Sequence, residues 1–404
     1  MSVFKFSAVD FLFTCVGLLS LLFDIVLDIY TAVDFFKQKS YVALGILILL
    51  LVGSSVLVQA FSWLWYSYED FKRETKVENC LSKSQLRLLH LFQLGIYFRH
   101  AGVMEVSVGS LSTGVKGDVA VYLSHDLGML RLIEAFAESS PQLVLMLTII
   151  LQRWELTALT VLKAVGSAAA IVFSVTTYHR SLRSFLPDKK QQKVLSSVVF
   201  FFWNLLIIFS RFVALSLFAS VLPCYIFTHF FCSWLIFFFC VWRSKTSFMD
   251  SPGGEWLYRA TVGLIWYFTW FNVAEGRTMY RTLLYHGFIL MDISLLCGLW
   301  CWRMSTEEVD FQIPFLYSTI TAVCVVATYL LGLFFKIIYY KYYHPNVAKE
   351  ELKGGPTSVA QIFCQQHTVD ELDGPSMARG FMSSPAPEVK PNKRLRKLAE
   401  NFYS

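Results

Sequence analysis

Roughly ten stretches of about 20 apolar residues follow one another along this chain, centred near Leu21, Leu51, Phe92, Leu143, Ala168, Leu206, Phe237, Ile265, Leu290 and Val325. A backbone that enters hydrocarbon must satisfy its own N–H and C=O groups, and an apolar run of that length does so as a helix. Composition agrees: 55% of the 404 residues are hydrophobic, 17% aromatic and only 16% charged, with a mean hydropathy of +0.52. Soluble domains do not reach that apolar content. The expected fold is therefore all-α, a polytopic membrane protein. The apolar stretch nearest the N-terminus runs for a full span, which predicts a signal anchor rather than a cleaved leader.

Basic residues set the expected topology, because loops rich in Lys and Arg stay cytoplasmic. The richest loop carries His179, Arg180, Arg183, Lys189, Lys190 and Lys193, and the C-terminal region carries Lys393, Arg394, Arg396 and Lys397. Both lie inside only if two of the ten segments enter and leave by the same face. The stretch from about Val121 to Leu151, interrupted at Ser140-Pro141, and the stretch from about Glu255 to Asn272 are the candidates. The expectation is eight transmembrane helices, two re-entrant membrane-dipping elements from opposite faces, and both termini cytosolic. Opposed re-entrant elements fit a possible inverted repeat, although no convincing internal identity supports one. At Tyr342-Tyr343-His344-Pro345 the composition turns polar. That divides the chain into a transmembrane domain, 1–343, and a cytosolic regulatory tail, 344–404.

Charges inside the apolar segments constrain function. Asp24 and Asp28 stand four residues apart on one helix face, and Glu134 and Glu138 repeat that spacing just before Pro141. Arg99, Asp126, Arg131, Arg211, Glu275 and Asp292 add charges of both signs. Each costs about 2.5 to 3.5 kcal/mol at the bilayer centre, so the set has to pair or face water. Any one of them reads equally well as a structural ion pair; together they point to a polar interior or groove. Asp10 and Arg281, near segment ends, are expected to be interfacial.

Other chemistries lack their residues. The nine cysteines fall mostly in apolar segments without metal-ligand spacing, and the histidines form no HExxH-like cluster. No P-loop or GxSxG element is present, so neither an enzyme nor a bound cofactor or metal is expected. The aromatic runs Phe61 to Tyr66 and Trp266 to Phe271 read as interfacial belts. The net charge of +6 suits the cytosolic membrane face rather than nucleic acid.

The tail holds two signals. Asp370-Glu371-Leu372-Asp373-Gly374 has the form of an executioner-caspase site, with Asp370 as the upstream acid and Asp373 and Gly374 flanking the cut. Gly354-Gly355-Pro356 and Gly374-Pro375 mark accessible extended chain around it. Farther on, Leu395, Leu398 and Phe402 share one stripe of a short basic amphipathic helix. Such a helix lies on anionic lipid or docks back onto the membrane domain, and a cut at Asp373 would release it.

Several elements together resemble the XK-related family of membrane proteins, in particular its caspase-activated branch. They are Leu57-Val58-Gln59-Ala60-Phe61-Ser62-Trp63-Leu64-Trp65, Glu134 and Glu138 with Ser139-Ser140-Pro141-Gln142-Leu143, Tyr178-His179-Arg180-Ser181-Leu182-Arg183, Glu255-Trp256-Leu257-Tyr258-Arg259, and Trp270-Phe271-Asn272-Val273-Ala274-Glu275-Gly276-Arg277. The resemblance runs from the first helix to the tail. It implies a plasma-membrane phospholipid scramblase that exposes phosphatidylserine after caspase removes the tail. It also implies eight spans with two dipping helices, and a stepped lipid pathway at Asp24, Asp28, Arg99, Glu134, Glu138, Arg180, Arg183, Arg211 and Asp292. Thr177 departs from the pattern, which has Asp before the Tyr-His-Arg run. The partners implied are phospholipids, an executioner caspase and a single-span immunoglobulin-like glycoprotein of the basigin or neuroplastin type. The residues alone also accommodate a membrane solute transporter or ion channel with a charged interior, or a scaffold whose charges glue helices together.

Overall fold

The computed structural model describes residues 6–69, 71, 74–113, 117–153, 158–185, 192–244, 246–273, 279–306 and 314–344. Asp370, Asp373, Gly374, Leu395, Leu398 and Phe402 lie outside the described residues, as do Glu275 and Arg277. Among the described residues the chain is helical, with no strand: α1 Ala8–Lys37, α2 Tyr41–Tyr68, α3 Lys76–Asn79, α4 Lys83–Leu91, α5 Gly95–Thr113, α6 Gly117–Glu134, α7 Ser140–Arg153, α8 Ala158–Phe185, α9 Val194–Val221, α10 Tyr225–Arg243, α11 Pro252–Phe268, α12 Met279–Thr306 and α13 Phe315–Ile338. Eight of these helical stretches are long and apolar enough to cross a membrane, making this a multi-pass membrane protein.

The start and stop of α1 are written locally. Ser7 Oγ accepts from the Asp10 N–H, and the Asp10 carboxylate accepts from the Ser7 N–H, a reciprocal cap. At the other end Lys39 takes a left-handed conformation with φ 57°, the Ser40 N–H reaches the Phe35 carbonyl at 2.9 Å, and the chain reverses into α2.

The eight long helices are not the eight expected from loop charges. The apolar segment near Phe92 divides into α4 and α5, because Gln93 adopts φ 64° and the Leu94 N–H bonds back to the Leu89 carbonyl at 2.8 Å. α5 then carries Arg99, His100 and Glu105 within 19 residues and, although as long as α10, is not among the helices long and apolar enough to cross a membrane. Conversely, Val119–Arg153 is one continuous 35-residue helical stretch rather than two arms broken at Ser140-Pro141. A π turn over Ala135–Ser139 precedes Pro141, and the Ser140 N–H reaches the Ala135 carbonyl. The wider turn accommodates a proline that would otherwise collide with the carbonyl four residues earlier. The stretch begins where Val119 and Tyr122 pack with Phe6, and it ends where Arg153 bonds Ser40 at 2.8 Å. It therefore traverses the whole length of α1.

α9 is the hub. In its membrane-length window 56% of residues are buried in protein, against 6% for α1, and it packs on α7, α8, α12 and α13. α11 is a buried helix laid against α10, its start tied to the end of α2 by a 2.6 Å Tyr68–Ser251 hydroxyl contact. Its C-terminal Phe268 stacks on Phe136 in the π turn. The chain then turns back, and Phe271 lies 5.5 Å from Tyr178 near the C-terminal end of α8.

The α9–α13 seam closes on Gly332, where a Cβ would meet Ile207 Cγ1 at 2.7 Å and the Ile207 backbone nitrogen at 3.1 Å. Gly332→Ala should destabilise the detergent-solubilised protein by about 1 to 3 kcal/mol through overpacking. Gly45→Ala, whose Cβ meets nothing within 4 Å, should leave the unfolding temperature unchanged or higher. Equal melting temperatures for the two variants would contradict this packing.

Candidate functional site

A polar stripe runs the length of α1. Asp10, Thr14, Gly17, Asp24, Asp28, Thr31, Asp34 and Gln38 follow at steps mostly of three or four and line three cavities between α1 and its neighbours. The other face, including Leu12, Leu19, Phe23, Val26, Val33 and Phe36, is apolar and exposed. At 1.5 Å per residue the stripe is about 42 Å long, more than the roughly 30 Å of a hydrocarbon core.

At its first end Arg180, from α8, bonds Asp10 at 2.9 Å, and its other terminal nitrogen reaches the Gln192 carbonyl and Ser197 Oγ, each at 2.8 Å. Asp10 is thus part of the stripe and not merely interfacial. A cavity of about 60 Å³ lies here between α1, α6 and α8. Its far wall is Arg131, which bridges Asp24 at 3.1 Å and Glu134 at 2.7 Å.

One turn along α1 the acidic centre appears. Gln142 Nε2 donates to Asp28 at 2.8 Å, and Ser54 Oγ, from α2, donates to Glu138 at 2.5 Å. Glu138 is on the π turn, whose extra residue swings it toward α2 while Glu134 stays with Arg131. Asp28 lines two of the three cavities along α1. One, of about 310 Å³, is shared with Ser54, Gln59, Gln93, Glu134 and Glu138; the other, of about 160 Å³, with Asp24, Asp34, Gln142, Arg153 and Lys163. Of the four carboxyl groups here, Asp24 and Glu134 are bridged by Arg131, whereas Asp28 and Glu138 are held by the neutral Gln142 and Ser54. Buried charge of that sign holds only where water or a cationic group reaches it. At the last end Gln38 donates to Asp34 at 2.8 Å and accepts from Arg153.

The remaining expected site residues lie elsewhere. Arg99 is a buried strut between α2 and α5: it donates to Ser62 Oγ at 2.7 Å and to the Ser62 carbonyl at 3.0 Å, with Asp126 at 3.8 Å and the Tyr66 ring at 3.9 Å. Arg183 is buried beside His344, 3.3 Å away, where the chain leaves the last helix. Arg211 is fully buried in α9 and paired with Asp292 of α12, which also meets His229 at 3.1 Å. That centre belongs to the α9–α12 half and does not line the cavities along α1. Asp10, Ser54, Gln38, Arg153 and Lys163 were not expected at the site. The first and third were legible as the continuation of the Asp24/Asp28 spacing; the others come from distant segments. No group of three or more His, Cys, Asp or Glu side chains able to hold a metal occurs among the described residues.

Because Arg131 holds two acids apart from one another's charge, Arg131→Met should destabilise the protein by about 3 kcal/mol. Adding Asp24→Asn to that variant should recover part of the loss, as read by thermal unfolding in detergent. Recovery absent in the double variant would mean that the pair is not coupled.

Residues 12–345 match the XK-related protein family. The chain is 40% identical to XK-related protein 8 of Tetraodon nigroviridis over 413 aligned positions, covering 100% of this chain and 98% of that one. It is also 40% identical to XK-related protein 8 of Gasterosteus aculeatus, over 85% of this chain and 86% of the relative. With XK-related protein 8 of Pan troglodytes it shares 33% identity, over 98% of this chain and 94% of the relative. With a match across nearly all of its helical body and full-length relatives at this identity, the chain belongs to the XK-related family.

Proposed function

We propose that this chain is a caspase-activated phospholipid scramblase of the plasma membrane, with both termini cytosolic, that moves phosphatidylserine and other phospholipids in both directions without ATP. The observation that carries the reading is the polar stripe of α1, longer than the hydrocarbon core and backed by apolar side chains that face lipid. A headgroup entering hydrocarbon loses hydrogen bonds worth several kcal/mol. Along the stripe it exchanges them one step at a time for carboxyl, amide and guanidinium groups, while its acyl chains stay in the bilayer beside the exposed face of α1. The amine or choline of the headgroup suits the acidic centre at Asp24, Asp28, Glu134 and Glu138. Its phosphate suits Arg131, Arg153, Lys163 and Arg180. The chemistry requires no covalent step and no energy source, so transport runs down the existing lipid gradient.

The same reading places α11 as a dipping element, entered and left on the face where α2 ends, and it gives the eight long helices an arrangement with the basic 186–193 loop inside. The tail is the control. Docked on the cytosolic face through Leu395, Leu398 and Phe402, it holds the pathway shut until cleavage after Asp373. A single-span immunoglobulin-like glycoprotein is the proposed companion chain.

Liposomes carrying the purified protein and fluorescent phosphatidylserine test this with dithionite. The inner-leaflet signal should become accessible only after executioner caspase, and Asp373→Ala should abolish activation. Ion or amino-acid flux from the cut protein without lipid movement would favour a transporter or channel. In the cut protein Asp28→Asn or Glu138→Gln should slow lipid movement about tenfold, the loss of roughly one charge-assisted hydrogen bond. Unchanged rates in both would exclude the acidic centre from the pathway.

A further inference from the structure

The 60 Å³ cavity at the first end of the stripe is unusual in what its walls leave unused. His100 Nε2, Ser124 Oγ, Thr177 Oγ1 and Arg180 Nε are all buried, all belong to residues that line this one cavity, and none has a hydrogen-bond partner within the protein. His100 and Arg180 are 4% and 6% exposed, so solvent at the protein surface does not satisfy them. A buried polar atom left without a partner costs about 1 to 3 kcal/mol, and four around one space are not a packing accident.

Thr177 makes the contrast clear. A threonine or serine in a helix ordinarily returns its hydroxyl to the carbonyl four residues back, and its neighbours do: Thr176 bonds Val172 at 2.9 Å and Ser174 bonds Ala170 at 3.3 Å. The Thr177 hydroxyl does not, and it lines the cavity instead. Arg180 has spent three of its four terminal N–H groups on Asp10, Gln192 and Ser197, which fixes the guanidinium and leaves Nε without a partner. Phe13, whose ring lies 4.6 Å from the Arg180 guanidinium carbon, Phe173 and Leu127 supply apolar walls.

The space accommodates about four to six water-sized atoms. Its donors are a guanidinium N–H and two hydroxyls, with an imidazole nitrogen beside them. Asp10, the one carboxylate on its wall, is already matched by Arg180. Donors converging on a small site without surplus negative charge suit an anion with several oxygens. The acidic centre farther along suits the opposite charge.

We propose that this cavity is a phosphate station, holding the phosphodiester of a membrane phospholipid through Thr177, Ser124, His100 and Arg180 Nε. The proposal rests on the lipid-pathway reading and adds to it a place where the phosphate is held apart from the amine-binding centre.

The test uses the full-length protein in detergent and reads the shift in unfolding temperature on adding short-chain phosphatidylserine, short-chain diacylglycerol, which lacks phosphate, or inorganic phosphate. The phospholipid should raise the unfolding temperature in a saturable way, and the other two should not. Thr177→Val and Ser124→Ala should each weaken that response about tenfold or more while leaving the unliganded protein equally or more stable, because each removes an orphan hydroxyl. An unchanged phospholipid response in both variants would overturn the proposal, showing that the hydroxyls hold water only. An equal response to inorganic phosphate would overturn the lipid assignment in favour of a free-anion site. If the wild type binds phospholipid here but the caspase-cut protein moves none in liposomes, the phosphate station stands and the scramblase reading fails.

Discussion

Water is the partner that ionised side chains lose on entering a bilayer, and the cost of that loss organises this molecule. Arg99, Arg131, Arg180 and Arg211 are all nearly or fully buried, and each is placed against an acid on a different helix. Those ion pairs tie α5 to α6, α6 to α1, α8 to α1 and α9 to α12. Apolar packing around the hub α9 then supplies the bulk of the cohesion, with aromatic rings filling the seams between α9, α10, α11 and α12. The ties at α1 matter most because that helix buries so little of its own surface.

The two halves of the molecule use their charges differently. At Arg211 and Asp292 a single acid meets a single guanidinium deep in the protein, with Tyr267 and His229 completing the contacts. That is a closed arrangement that fixes α12 on α9. Along α1 the acids outnumber the bases, the side chains border cavities, and the other face of the helix is apolar and exposed. An excess of buried carboxyl groups next to open space is unfavourable for holding helices together and favourable for handling cationic groups. The contrast separates residues that were equivalent by sequence: Asp292 and Arg211 pair between α12 and α9, whereas Asp24, Asp28, Glu134 and Glu138 border the cavities along α1.

How far the chain could be read in advance follows the same physics. Apolar runs long enough to span are local, so the all-α class and the number of long helices were legible. Which runs those are was not, because hydropathy averaged over about 20 residues does not register a single backbone reversal such as Gln93, nor a π turn that carries the helix through Pro141. Carboxyl groups four residues apart on a helix are also a local signal, and Asp24, Asp28, Glu134 and Glu138 do come together. Partners brought in from 100 or more residues away leave no local signal. The Asp10–Arg180 pair is 170 residues apart in sequence and the Asp28–Gln142 bond 114, and without them Asp10 reads as an end residue.

The account depends on the α1 stripe being wet along its length in the membrane. Single cysteines placed on α1, in a background with the native cysteines replaced, can be tested for reaction with a charged, membrane-impermeant thiosulfonate in liposomes, applied from either side. Positions 14, 24, 28, 31 and 34 should react, and positions 19, 23, 26 and 33 should not, giving a helical periodicity that matches the cavities. Uniform protection of both sets would contradict a polar pathway and leave the acidic residues of α1 as buried glue between helices.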